Sequence, residues 1–360
     1  MTHPLTDRTG FKLGVFSANA DGGLAITTVP ERWRASWDDN VRAARLAEEG
    51  GLDFFLPIAR WAGFGGTTRT REHSFETFTW AAALAALTSR MAIFATVHVP
   101  FVHPVYAAKA LATVDHVSGG RAGLNIVCGW NPREFAMFGV TPDEEPYARA
   151  EEWIDIVERA YAAEEPFDHE GRHYRLKGVV SRPASVQRPR PVTMNAAFGP
   201  PGRDFAARRC DMLFSTFTDI ADGARHVADI GARARAAGRD VGVYTVCHVI
   251  CRESQEEAEA AYRRYALDEA DHEAVRIHME GKRQFSRSHD EVAYERYVQR
   301  FAGGAGSYPL VGSPERVAAD IALIAAEGYL GAALSFLNYT DELPFFCARV
   351  IPLLKEAGLR

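Results

Sequence analysis

Short apolar runs alternate with stretches of helical periodicity along nearly the whole chain, and that alternation restricts the fold more than any other feature of the sequence. Parallel strands cannot be joined by tight turns; each needs a crossover, usually a helix, so alternating β and α segments predict βα units around a parallel sheet. The strand-like runs cover 12–18, 54–58, 91–97, 122–127, 192–195, 212–215, 243–249 and 332–336. Helical spacing is read over 37–50, 75–87, 104–118, 148–163, 202–209 and 219–237; Trp153, Ile156, Val157 and Tyr161, for instance, fall on one face. Eight strands with helices after most of them is the number that closes a (β/α)8 barrel, so the expected fold is an α/β TIM barrel with insertions. An open doubly wound sheet is the competing architecture. Against it, no Gly-x-Gly-x-x-Gly follows the first strand, and Asn19-Ala20-Asp21-Gly22-Gly23 has the wrong spacing for a dinucleotide fingerprint.

With 360 residues, 47% of them hydrophobic, the chain can bury one large core, and 1–360 is expected to be a single barrel domain. Two segments fall outside the alternation. Residues 167–188, with Gly171 as a turn and Pro183 and Pro189 as breakers, read as a hairpin. Residues 254–307, rich in Glu, Arg and Tyr, read as a helical insertion between the seventh and eighth strands. This insertion is either a solvated helical pair at a subunit contact or a lid that brings Phe285, Tyr294 and Tyr297 near the substrate.

Net charge is −6 with both signs interspersed, which gives no footprint for nucleic acid or anionic lipid and favours a small-molecule partner. No segment reaches the roughly 18 consecutive apolar residues of a spanning helix. Residues 1–10 lack a basic stretch followed by an apolar run, so a cytoplasmic protein is expected. Five cysteines, an odd number spread over a long chain, read as reduced thiols; Cys247 and Cys251 lie in an apolar strand-like run, and no metal site is expected.

In a barrel of this kind chemistry gathers at the C-terminal ends of the strands. Those positions hold Asn19 and Asp21, then Arg60, Trp61 and the run Gly63-Phe64-Gly65-Gly66, then Thr96 and His98. Further along stand Asn125, Gly129, Trp130 and Asn131, then Asn195 with Gly199, and finally Asn338. There is no Gly-x-Ser-x-Gly, no His-Glu-x-x-His and no Walker lysine, so hydrolase, metalloprotease and NTPase readings lose their usual support. Amide, hydroxyl, imidazole and guanidinium groups in an apolar mouth suit hydrogen bonding to a heterocycle. His98 and His103 flank the third strand end, each either touching a ligand or satisfied structurally. Arg60 either holds an anionic or carbonyl group or lies on the surface, Trp130 packs beside the site, and Glu134 either caps the following helix or contacts a ligand.

The run Gly63-Phe64-Gly65-Gly66, the segment Ser74-Phe75-Glu76-Thr77-Phe78 and above all Asp115-His116-Val117-Ser118-Gly119-Gly120-Arg121-Ala122-Gly123-Leu124-Asn125-Ile126-Val127-Cys128-Gly129-Trp130 resemble the bacterial-luciferase-like flavin-dependent monooxygenases. The similarity runs from about residue 12 to 354 and is nearest to the pyrimidine monooxygenase, dimethylsulfone monooxygenase and riboflavin lyase branches. It implies a (β/α)8 barrel, reduced FMN delivered by a separate NAD(P)H:flavin reductase, O2 as co-substrate, and a homo-oligomer, dimer or tetramer. By the same resemblance Thr96 and Asn125 line the flavin near its N5 edge, where O2 is held. Ala59 and Arg60 meet the isoalloxazine ring and the substrate, and Glu134 takes another flavin-contacting position. Arg149, Ala150 and Gly199 fall where the ribityl chain and phosphate are held, with Ala150 in place of an aromatic residue and Gly199 in place of a serine. Backbone N–H groups at the helix start after Gly199 would then seat the phosphate. The catalytic set implied is Thr96, Asn125, Arg60 and His98. The expected substrate is a carbonyl-bearing heteroaromatic ring, uracil-like or the isoalloxazine of riboflavin, followed by a small sulfone. A deazaflavin (F420)-dependent dehydrogenase and a non-catalytic flavin-binding protein are the alternatives on the same barrel.

Overall fold

The computed structural model describes residues 3–7, 9–285 and 300–360. Eight parallel strands close on themselves. They are β1 (Lys12–Phe16), β2 (Phe54–Leu56), β3 (Ala92–His98), β4 (Ala122–Val127), β7 (Val192–Ala196), β8 (Met212–Ser215), β9 (Gly242–Cys251) and β11 (Gly331–Ser335). β9 pairs with β8 and with β11, which pairs with β1, so the ring has no free edge. All eight runs expected from the sequence are these strands. The first stops at Phe16 rather than 18 because Ser17 turns into the left-handed region with φ 68°.

Alternation along each strand sorts side chains between two cores. Phe54, Leu56, Phe94, Val192, Met194, Met212, Phe214, Tyr244 and Val246 fill the barrel interior. The opposite parity packs outward against helices α1 (Trp37–Glu49), α2 (Thr77–Leu87), α3 (Pro104–Ser118), α5 (Pro146–Ala162), α6 (Pro200–Arg209) and α7 (Gly223–Ala236). Large interior rings need small neighbours: a Cβ on Gly14 would stand 2.3 Å from the Phe54 ring, and one on Gly123 would stand 2.5 Å from the Phe94 ring. Below them His3 lies edge-on to Phe94 and Leu5 joins the interior cluster, closing the N-terminal end of the barrel.

Residues 167–188 form the expected hairpin, β5 (Phe167–Glu170) with β6 (Arg175–Val179). Four elements were not legible beforehand. One is the short helix α4 (Pro132–Phe138), capped by Asn131, whose Oδ1 accepts from the Arg133 N–H. A second is β10 (Tyr308–Gly312), which pairs in parallel with the far half of β9. The third, α10 (Pro314–Ala326), leads from β10 to β11, and the fourth, α11 (Tyr339–Glu356), ends the fold.

Between β9 and β10 the chain forms α8 (Gln255–Arg263), one π-helical turn over Arg264–Asp268 and α9 (His272–Phe285). This segment lies on the loop after β1: the Asp271 N–H donates to Ile26 O, and the Thr27 and Thr28 hydroxyls donate to Glu269 O. It also lies on the loop after β2, where the Thr68 N–H and hydroxyl donate to Asp271 Oδ2. Both loops leave the C-terminal ends of their strands, so α9 sits over the mouth. The side chain of Phe285 and the residues Tyr294 and Tyr297 lie outside what is described. Among the described residues, no helix is long and apolar enough to cross a membrane.

Candidate active site

The mouth is built from inward positions near the C-terminal ends of β3 and β4 and from the loop after β2. Thr96 and Asn125 are register partners on adjacent strands, so their side chains point into the barrel side by side. The Thr96 hydroxyl donates to Pro57 O (2.6 Å) and accepts from Asn125 Nδ2 (3.4 Å). Asn125 Oδ1 is buried with no protein partner. Asn195, by contrast, has the outward parity: its Nδ2 donates to Ile126 O (2.7 Å), and it stands behind the wall rather than in the mouth.

After β2 the chain is clamped from below. Asn19, fully buried, donates to Ile58 O and Phe75 O and accepts from the Ile58 N–H, while the Ser74 hydroxyl donates to Arg60 O. These bonds fix the backbone that carries Ala59 and Arg60. Glu134 fixes the side chain. Its Oε1 accepts from Arg60 Nη1 (3.0 Å) and from the backbone N–H groups of Trp61 (2.9 Å) and Ala62 (3.2 Å). Glu134 therefore does not cap its own helix, a task left to Asn131; it latches α4 to the loop after β2. The second carboxylate oxygen, Oε2, stands 3.7 Å from His98 Nδ1, beyond a hydrogen bond. Burial lowers the His98 pKa to about 4, with Glu134 opposing and Arg60 adding to the shift, so the imidazole is neutral at pH 7.

Aromatic rings enclose this cluster. The Arg60 guanidinium lies 5.1 Å from the Phe64 ring centre and 5.2 Å from that of Trp130, and those two rings are stacked. His278 of α9 meets Phe64 at 4.0 Å and Trp130 at 5.1 Å, so α9 contributes a side chain to the roof. Gly65 and Gly66, with φ of 70° and 71°, give the loop its close approach to α9: a Cβ on Gly66 would stand 2.6 Å from Asp271 Oδ1. On the other side Phe101 meets His98 edge-on and stacks on Phe138, which meets the half-exposed Trp61.

The remaining expected residues are dispersed. His103 is the N-cap of α3, its Nδ1 accepting from the Val105 N–H (3.3 Å). Arg149 is held by Asp143 through Nε (2.6 Å) and Nη2 (2.9 Å), over the Tyr174 ring. Ala150 is wholly buried in the outer core. Gly199 is the N-cap of α6, but the helix start offers fewer donors than expected. Pro200 and Pro201, its first two residues, have no N–H, and the Arg203 N–H is taken by Gly199 O. The Gly202 N–H stands apart from these, beside Tyr147: a Cβ on Gly202 would lie 2.4 Å from the Tyr147 hydroxyl oxygen.

Two features escaped the sequence reading. His278 carried no signal, since its segment has no strand-end position to mark it. His248 did carry one: it shares inward parity with Tyr244 and Val246 at the far end of β9. It is buried between Ser335 Oγ and Tyr265 Oη, 2.7 Å from each, and burial pushes its pKa down to about 3.

The profile of the luciferase-like monooxygenase family matches residues 11–330. The FMNH2-dependent dimethylsulfone monooxygenase of Pseudomonas fluorescens (strain Pf0-1) is 30% identical over 355 residues, 96% of this chain and 94% of that protein. Pyrimidine monooxygenase RutA of Acinetobacter baylyi is 29% identical over 358 residues, 95% of this chain and 94% of that protein. The crystal structure of riboflavin lyase with modified FMN and riboflavin superposes with a TM-score of 0.85 at 23% identity, over 98% of this chain and 92% of that one. With a closed eight-stranded parallel barrel and a family match over most of its length, the chain belongs to the luciferase-like monooxygenases.

Proposed function

We propose that this protein is the oxygenating component of a two-component system. It takes FMNH2 from a separate NAD(P)H:flavin reductase and, with O2, oxygenates or cleaves a small organic substrate. The observation that carries this reading is the Thr96–Asn125 pair, which leaves a buried amide oxygen unpartnered at the barrel mouth. A buried acceptor without a donor costs on the order of 1–3 kcal/mol, and a ring N–H of reduced flavin removes that cost.

Bound reduced FMN supplies the electrons that activate O2; the chain supplies everything around it. Asn125 and Thr96 would orient the ring, Ala59 would line it, and Arg60, held by Glu134, would address a carbonyl of ring or substrate. Neutral His98 completes the polar lining without adding charge. Arg149, although paired with Asp143, and the turn at Gly199, where Pro200 and Pro201 leave few N–H donors, would serve the phosphate end, with Ala150 packed behind in the core. The aromatic enclosure keeps water from the reacting atoms. The chain acts as one barrel domain in which the segment from α8 to α9 serves as a lid over the mouth. It works in the cytoplasm as a dimer or tetramer, on a carbonyl-bearing heteroaromatic ring, uracil-like or isoalloxazine, ahead of a small sulfone.

The test is a reductase-coupled assay under 18O2 with uracil, riboflavin and dimethylsulfone as candidates. One 18O atom per product molecule from one candidate supports the reading; O2 uptake unaffected by every candidate, with no labelled product, overturns it.

A further inference from the structure

β9 is buried throughout and outruns the barrel: residues 242–245 pair with β8, 244–248 with β11 and 247–251 with β10. Tyr244 and Val246 point into the barrel, so by alternation His248 does too, one step nearer the mouth. In the closed ring β9 and β11 stand opposite β3 and β4, three steps away in either direction. His248 and its register partner Ser335 therefore belong to the wall that faces Thr96 and Asn125. His248 Nδ1 lies 2.7 Å from Ser335 Oγ and Nε2 lies 2.7 Å from Tyr265 Oη, with all three side chains buried. Burial keeps the imidazole neutral, so it carries one N–H. One hydroxyl donates to the ring, the other accepts from it, and both nitrogens are satisfied only while both hydroxyls are present.

Tyr265 is not part of the barrel. It sits in the π-helical turn that joins α8 to α9, a distortion that recurs in helices at functional sites. Among the described residues, its hydroxyl makes the one side-chain hydrogen bond that runs from the α8–α9 segment to a barrel strand. The other ties of this segment reach loops or β10: Arg264 to Glu31, Glu269 O to Thr27 and Thr28, Asp271 to Thr68, and Gln255 to Val311 O. Further along the same segment, α9 carries His278 onto Phe64 and Trp130, the rings that flank Arg60.

We infer that His248 is a positioning residue: through the Tyr265 hydroxyl it fixes the turn from which α9 is hung, and so the seat of His278 over the mouth. It acts through Tyr265 and needs no contact with flavin or substrate. The inference rests on the monooxygenase reading for what this placement serves, whereas the tie itself can be read without flavin.

Two amide replacements split the hub. Glutamine places its amide nitrogen where Nε2 stood and asparagine where Nδ1 stood, so His248→Gln keeps the tie to Tyr265 and drops the one to Ser335, and His248→Asn does the reverse. Tyr265→Phe keeps the ring in its apolar nest with Ala25, Val29 and Leu337 and deletes only the hydroxyl. Hydrogen–deuterium exchange over residues 266–280 is measured without flavin. Each variant is then run with reductase-supplied FMNH2 on uracil, riboflavin and dimethylsulfone, recording KM, kcat and the share of consumed O2 that leaves as H2O2 rather than in product. His248→Asn and Tyr265→Phe are expected to exchange at least tenfold faster, to raise KM at least fivefold with kcat little changed, and to lose a larger share of O2 as H2O2. His248→Gln should stay within twofold of the native protein in all of these. The H2O2 share is a ratio within one protein, so it is insensitive to the fraction folded. Asparagine and glutamine variants that behave alike, or Tyr265→Phe that matches the native protein in exchange and KM, overturn the inference and leave the oxygenase reading intact. The expected exchange pattern in a protein that turns over none of the three compounds supports the tie and strikes the oxygenase reading instead.

Discussion

Replacing Glu134 by alanine removes one carboxylate oxygen that serves three donors at once. The Arg60 guanidinium, 7% exposed, loses its ion pair, and the N–H groups of Trp61 and Ala62 lose their acceptor. Breaking a buried pair by deleting one partner costs about 3–5 kcal/mol, because the surviving charge stays buried. The two freed N–H groups lie near the mouth and can recruit water, so they add little beyond that range. For a chain of this length the entropy of unfolding converts such a loss into a fall in Tm of roughly 4–7 °C. Thermal unfolding followed by circular dichroism, without flavin, reads it directly. Because the cost is that of a stranded charge, Arg60→Met in the same chain should restore at least half of it, although neither substitution alone is benign. A fall in Tm below 1 °C for Glu134→Ala would show that the pair holds nothing. An equal fall with no rescue in the double variant would show that the damage comes from the cavity and not from the charge.

Other consequences are separable. Thr96→Val keeps the shape but deletes the hydroxyl shared by Pro57 O and Asn125 Nδ2; substrate-dependent O2 uptake should drop at least tenfold with little change in FMN affinity, and unchanged uptake contradicts its placement beside the ring. Gly66→Ala puts a methyl group against Asp271 and Ala274 at a φ of 71°, so α9 should lift from the loop, seen as faster proteolysis within 255–285 and a raised KM; unaltered cleavage would mean that α9 does not depend on this contact. His3 and His98 have folded pKa values of about 4 set chiefly by burial, below the unfolded value near 6.5, so the unfolded chain takes up protons first as pH falls. Their contribution is complete above pH 6.5 and is lost between about 6.5 and 4, at roughly 1 kcal/mol per pH unit for each group. Urea midpoints that stay constant over that window would refute this, and His98→Gln should make the slope shallower.

The barrel was legible because its signal is redundant: eight apolar runs, seven crossovers and the absence of a nucleotide fingerprint all agree. Strand-end position and the family resemblance singled out Thr96 and Asn125, whose adjacency follows from parallel register once both strands are placed. What escaped lies off that lattice. α4 is only seven residues long, too short for a periodic pattern, and Glu134 could be read as a cap until its carboxylate was seen to turn back onto Trp61 and Ala62. Asn195 illustrates the opposite error: its position beside a strand end suggested the mouth, but one residue of parity puts it behind the wall. The helix start after Gly199 looked like a full set of N–H donors, although Pro200 and Pro201, visible in the sequence, already removed two. His278 enters the site from a segment whose charged composition says nothing about where it folds back.

On the proposed function this mouth holds reduced FMN and directs O2 onto a substrate. Loading the protein with FMNH2 without air, then mixing it rapidly with oxygenated buffer while recording flavin absorbance, tests this most directly. Tight FMNH2 binding is expected, with a spectrum of flavin return that depends on whether a carbonyl-bearing ring such as uracil or riboflavin is present. No binding of FMNH2, or reoxidation at the rate of free flavin whatever is added, would contradict it, and preferential binding of a reduced deazaflavin would move the protein to hydride transfer.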